Sequence, residues 1–201
     1  MRTDLTPEDL PGRAFYQLLT AVVVPRPIAW VSTTSAAGVD NLAPHSFFTV
    51  SCVEPPIVQF TSVGRKDHLR NVEETGEFVV NFAPERLQEE INATATDYPP
   101  EVSEFDAVGV AREPSSVVKP PRVASSPVAL ECRLHSTLLL GDSTVVFGRV
   151  VHAAVDEEVL LGGHPEISRL RPVARLGKDE WGAMGEITSM PRVRYADLPR
   201  D

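Results

Sequence analysis

From Val128 onward the chain alternates without a break: Val128, Leu130, Cys132 and Leu134 fall on one face, and Glu131, Arg133 and His135 on the other. A two-residue period belongs to an extended strand with one face buried, because successive side chains point to opposite sides. Gly141-Asp142-Ser143 then supplies a turn, and Thr144 to Val155 returns as a second long β-rich run in which Gly148 marks a bulge. Two long strands joined this tightly commit the chain to a β-rich body. The 18 prolines, several paired as at Pro55-Pro56, Pro99-Pro100 and Pro120-Pro121, suit well-defined loops around it.

The stretch from Pro25 to Phe48 adds a hairpin of a different kind. Ile28 to Thr34 reads as a strand, residues 36–40 as a turn around Gly38, and Leu42 to Val50 as a return strand. Small polar residues (Ser32, Thr33, Asn41, Ser46) alternate here with apolar and aromatic ones (Trp30, Leu42, Phe47, Phe48). Pro44 has no N–H to give a ladder, so the return strand is bulged or at an edge there, with backbone groups free for a flat, polar-edged ligand.

The rest of the chain organises around these two hairpins. Residues 1–14 are polar, with Pro7, Pro11 and Gly12, and read as an extended arm; residues 15–201 read as one domain including the C-terminal tail. Phe15 to Val24 fits a helical or a strand period equally. Ile57 to Ser62 has strand composition. Asp67 reads as the cap of a short helix that buries Leu69 and Val72 and stops at Gly76. Phe78 to Phe82 is apolar on both faces, as a central strand should be. Pro84 opens a surface helix striped by Leu87, Ile91 and Ala95. Residues 96–126, rich in Pro, Ser, Asp and Glu, form a long excursion that shapes a substrate entrance.

Composition excludes several classes of function. A net charge of −9 repels phosphate backbones and anionic membranes, so neither nucleic acid nor a membrane is an expected partner. No apolar run approaches the ~18 residues of a membrane span, and the first residues lack a signal-peptide core, so a cytoplasmic location is expected. Cys52 and Cys132 are far apart without metal-type spacing and read as buried, inert thiols; no metal site is expected. Gly-x-Gly-x-x-Gly, Walker, Gly-x-Ser-x-Gly, His-Glu-x-x-His and Cys-x-x-Cys patterns are all missing. Ser143 as a hydrolase nucleophile with a histidine competes with its simpler reading as a turn residue. Arg65 and Lys66, standing just before the free N–H groups of a helix start, make an anion site. In isolation the same two cations read as a solvated loop.

PRPIAWVST (25–33), NLAPHSFF (41–48), Glu54-Pro55-Pro56, Lys66-Asp67 and EFVVN (77–81) together resemble the flavin reductase-like family of FMN-binding split-barrel proteins, in order from about Phe15 to about Trp181. The resemblance implies a mainly β fold, an antiparallel Greek-key split barrel with a few peripheral helices. It also implies a homodimer with FMN near the subunit interface. NADH or NADPH would be the hydride donor, and a flavin-using monooxygenase or electron-transfer protein the partner. A bound flavin explains the shortage of reactive side chains, since the ring does the redox chemistry and no side chain need be catalytic. On this reading Trp30, Val31, Ser32, Thr33, Asn41, Leu42, Ala43, Pro44 and His45 lie along the ring. Ser46, Ser62, Arg65, Lys66, Asp67 and His68 gather at the phosphate, and Arg175 reaches in from the tail. His68 stands where the family often has Thr, and Trp181 where it usually has Tyr. A non-enzymatic FMN-binding electron carrier of the same fold is the alternative.

Overall fold

The computed structural model describes residues 1–197 of the 201-residue chain. Its main sheet has seven strands: β1 (Ala29–Thr34), β2 (Asp40–His45), β3 (Phe48–Cys52), β4 (Ile57–Val63), β5 (Glu77–Phe82), β6 (Val128–Leu140) and β7 (Ser143–Val155). Helices α1 (Ala14–Val22), α2 (Asp67–Thr75), α3 (Gln88–Ala93) and α4 (Glu104–Val108) sit around it. The order across the sheet is β2-β1-β5-β6-β7-β4-β3, and every pairing is antiparallel.

This order dictates a barrel. β2 and β3 occupy opposite edges of the sheet, yet only Ser46 and Phe47 separate them in the chain. Two residues reach ~7 Å at most, so the sheet must curl until its edges nearly meet. The junction is fixed where the Thr61 N–H of β4 donates to the Phe47 carbonyl at 2.9 Å. The mainly β antiparallel barrel with peripheral helices is therefore the fold observed. The single return strand expected from Leu42 to Val50 is instead two strands. Pro44, with no N–H, lies on the edge strand β2, and the chain leaves that edge just after it to cross to the other.

Alternate residues of β1 enter two different cores, which is why residues 29–33 are buried without a break. Ala29 and Val31 join Phe60, Leu69, Val72, Phe78, Val80, Cys132 and Val146 inside the barrel. Ile28 and Trp30 join Leu42, Ile91, Phe105, Val123 and Val173 in a second core under α3, α4 and the tail. β5 is central, as its apolar faces predict.

Gly148 lies at a register shift between β6 and β7, and its missing side chain has a packing reason. A Cβ there would stand 2.1 Å from Cζ and 2.7 Å from Cε1 of the fully buried Phe78 ring. Gly148→Ala is expected to destabilise by about 1–3 kcal/mol, the usual cost of overpacking a tight core, as read from the urea midpoint. A midpoint unchanged from wild type would mean the Phe78 ring is free to move aside.

Other expectations are corrected in detail. Phe15 to Val24 is settled as helix α1. Lys66, not Asp67, is the N-cap of α2, and Asp67 is its first residue; Gly76 ends the helix at φ +73. Pro84 precedes a single 3-10 turn, Glu85–Leu87, before α3, and α3 stops short of Ala95, which is exposed. Cys52 is only partly buried, whereas burial pushes the Cys132 thiol up to about 12 and keeps it inert. Ser143 donates to the Asp142 carboxylate at a hairpin tip, where no histidine shares the bond.

The largest surprise is Glu131, expected on the polar face of its strand but fully buried. Its carboxylate accepts from the Ser116 and Val117 N–H groups at 2.8 and 2.7 Å and from Arg122 Nε at 2.8 Å. It thereby ties the excursion of residues 96–126 to the barrel wall.

Candidate functional site

The barrel's junction forms one wall of a cavity of about 350 Å³, within the range of small-ligand sites, ~300–1,000 Å³. Asn41, Ala43, Pro44, His45 and Ser46 line it from β2 and the crossing segment, and Lys66, Asp67 and His68 from the start of α2. Thr61 joins them from β4, Thr94 to Tyr98 and Glu104 from the excursion side, and Tyr16 from α1. Eight of the sequence-predicted residues therefore meet on one concave surface.

The others are placed elsewhere. Trp30, Val31, Ser32, Thr33 and Leu42 are fully buried behind the wall. Trp30 Nε1 donates to Thr94 Oγ1 at 2.9 Å, so the indole braces a wall residue from behind. Ser32 Oγ donates to the Pro121 carbonyl, and Thr33 Oγ1 accepts from Asn71 Nδ2 at 3.0 Å. Ser62 is buried and donates to the Gly64 carbonyl at 2.7 Å, its oxygen also 3.0 Å from His68 Nε2. Arg65 turns along α2 to pair with Glu73 at 2.6 Å. Arg175 lines a neighbouring basin, described below.

Glu104 was missed by sequence reasoning, as were Thr61, Tyr16 and residues 94–98; the only pointer was the excursion's length. Glu104 is buried and accepts from Asn41 Nδ2 at 2.8 Å and the Leu42 N–H at 2.9 Å. It thus blocks the outer edge of β2 and fixes Asn41 at the cavity rim. Burial raises its pKa, against the opposing hydrogen bond from Leu42.

His45 and His68 stack edge to face, ring centroids 4.1 Å apart. Burial lowers both. His45 falls to about 4; His68 is pushed down further by His45 and Lys66. Both rings are therefore neutral at pH 7. His45 Nδ1 lies 3.3 Å from the Thr61 carbonyl and must donate to it, which leaves Nε2 as an acceptor; that buried atom has no partner among the described residues. An unfolded histidine protonates near 6.5 and folded His45 only near 4, so between these values the unfolded chain binds more protons. Stability is expected to fall as pH drops through this window, by about 3 kcal/mol for His45 once fully developed. His45→Gln should remove that share of the slope in urea unfolding between pH 7 and 4.5. An identical slope in the variant would mean that His45 is charged in the fold.

Lys66 makes no side-chain cap bond, so the first-turn N–H groups of α2 face the cavity end without one. Its Nζ lies 2.7 Å from Asp97 Oδ1 on the opposite lip, where both side chains are exposed. The donor set fits a planar ligand with an anionic tail. It combines polar backbone at Asn41 to Ser46 with a lysine and helix N–H groups at one end.

A curled antiparallel barrel with a cavity at its junction is the architecture shared with the relatives that follow. The chain matches the flavin reductase like domain over residues 21–165 and belongs to that family. A protein of Halalkalibacterium halodurans is 40% identical over 200 residues, covering 94% of this chain and 95% of that protein. Among solved structures, nitrilotriacetate monooxygenase component B from Bacillus cereus superposes with a TM-score of 0.91 at 31% identity, over 94% of this chain and 99% of its own. The 2-nitrobenzoate 2-nitroreductase of Pseudomonas fluorescens gives 0.90 at 29% identity, over 98% and 99%. A flavin-related redox function follows. No helix among the described residues is long and apolar enough to cross a membrane.

Proposed function

We propose that the protein is a cytoplasmic, homodimeric FMN-dependent oxidoreductase that takes hydride from NADH or NADPH and passes reduced flavin, or electrons, to an acceptor. One observation carries this reading: the hairpin segment Asn41 to Ser46 and the helix start Lys66 to His68 wall the same cavity. When bound, FMN supplies the hydride-accepting ring. The protein's part is to bind and orient it. Backbone groups at Ala43 to Ser46 would meet the polar edge of the ring. Lys66 and the first-turn N–H groups of α2 hold the phosphate.

On the pattern of the monooxygenase component, the acceptor is a flavin-using monooxygenase partner; on that of the nitroreductase, it is a small aromatic substrate. The exposed run Leu138, Leu139 and Leu140 at the end of β6 supports burial against a second copy.

The test is to add FMN to the purified protein, remove excess, and record the visible spectrum before and after NADH or NADPH under anaerobic conditions. A retained flavin band bleached by the nicotinamide is expected. Loss of FMN at micromolar concentration rejects the cofactor. Retention without bleaching leaves an electron carrier instead. Sedimentation of the FMN-loaded protein as a monomer would overturn the homodimer.

A further inference from the structure

A second cavity, of about 490 Å³, adjoins the first and shares Tyr16 and Ser46 with it. It is lined by Arg13, Arg26, Arg175 and Lys178, with Asp179 the one carboxylate among its lining residues. Four cations in one basin stand out in a chain of net charge −9. None of the four forms a salt bridge among the described residues. Arg13 lies over the Tyr16 ring at 4.9 Å and Arg175 over the Trp181 ring at 4.8 Å. Arg175 also donates to the Lys178 carbonyl at 2.7 Å.

Two features make this a built site rather than a scatter of surface charge. Arg26 and Arg175 are direct cross-strand partners where the short strands Arg26–Pro27 and Val173–Arg175 pair. Like charges directly opposite destabilise a sheet, and here the fold keeps them. Arg26 is moreover 7% exposed, its terminal nitrogens donating to the carbonyls of Thr20, Val23 and Leu176. Its Nε–H is buried with no partner among the described residues. Burial, with Arg175 adding to it, lowers the Arg26 pKa against a favourable contribution from Tyr16. Two guanidiniums held on paired residues of the basin wall, neither with a carboxylate partner among the described residues, favour an anion beside them.

We propose that this basin is a second anion subsite, separate from the one at the start of α2, and that it takes the diphosphate of the dinucleotide that reduces the flavin. The inference rests on the proposed function for the identity of that ligand. The shared wall at Tyr16 and Ser46 lets one molecule place its diphosphate in the basin and its reactive ring against whatever occupies the first cavity.

Inorganic pyrophosphate, titrated calorimetrically into FMN-loaded protein, is expected to bind and to compete with NADH in stopped-flow reduction. Lys178→Gln and Arg13→Gln, both at exposed positions, should each weaken pyrophosphate three- to tenfold and raise the half-saturating NADH concentration alike. FMN affinity should stay within twofold. Failure of pyrophosphate to bind, or to compete with NADH, overturns the proposal. So does a parallel loss of FMN with riboflavin spared, which would assign the basin to the flavin phosphate. If FMN is not retained at all, the proposed function fails, and pyrophosphate titration of the flavin-free protein and its two variants decides the subsite alone.

Discussion

Lys66→Ala is expected to weaken FMN about 10- to 100-fold while changing riboflavin less than twofold. Lys66 stands at the N-cap position of α2 at the end of the cavity, and its only ion pair among the described residues is the exposed one with Asp97. Exposed pairs contribute roughly 0–1 kcal/mol, so the variant should fold as the parent does. A hydrogen bond to a charged group contributes about 1.5–3 kcal/mol, which at ~1.4 kcal/mol per decade sets the expected range. Asp97→Asn frees the ammonium and should tighten FMN slightly. Arg65→Ala should matter little, because that side chain is held by Glu73 away from the cavity. Fluorescence titration with the two flavins reads all of these. Equal losses for FMN and riboflavin in Lys66→Ala would show that the phosphate lies elsewhere.

Arg122→Ala is expected to cost about 3–5 kcal/mol, the usual penalty for stranding one member of a buried pair. Glu131 is 0% exposed, and Arg122 supplies the countercharge to its Oε1 through both Nε and a terminal nitrogen. Burial would raise the Glu131 pKa, but the Ser116 N–H, Arg122 and the Val117 N–H outweigh it and hold the carboxyl below its ordinary value. The sign follows: this contribution is complete above the unfolded carboxyl's pKa and is lost as pH falls through the lower folded one. Guanidinium unfolding at pH 7 and at pH 4 should show the penalty shrinking with acid. A penalty under 1 kcal/mol at pH 7 would mean that water reaches Glu131 in the variant. Glu131→Gln, which keeps an acceptor for the loop N–H groups, should cost less than Arg122→Ala.

What could be read from the sequence was whatever depends on neighbours in the chain. The alternation at Val128 to Leu134, the Gly141 turn, and the doubly apolar run at Phe78 all report local geometry, and all match the strands observed. The break in the return strand was only half legible: Pro44 signalled an edge, but residues on both sides of Ser46 have strand character. Nothing local says that they belong to opposite edges. Lys66 and Arg65 are adjacent and chemically alike, and nothing local separates the one at the cavity from the one paired with Glu73. Glu104 and Glu131 were illegible for a different reason. A carboxylate is called exposed by default, and the partners that let Glu104 be buried, Asn41 and Leu42, are about sixty residues away. Tyr16 was hidden by an ambiguous period in α1.

The two-residue crossing at Ser46 and Phe47 has a mechanical consequence. It is the stitch that holds the cylinder shut, and it is also part of the wall that a bound molecule would press against. A guest seated there would rest on the stitch itself, at Ser46 and Phe47, and on the edge strand that leads into it.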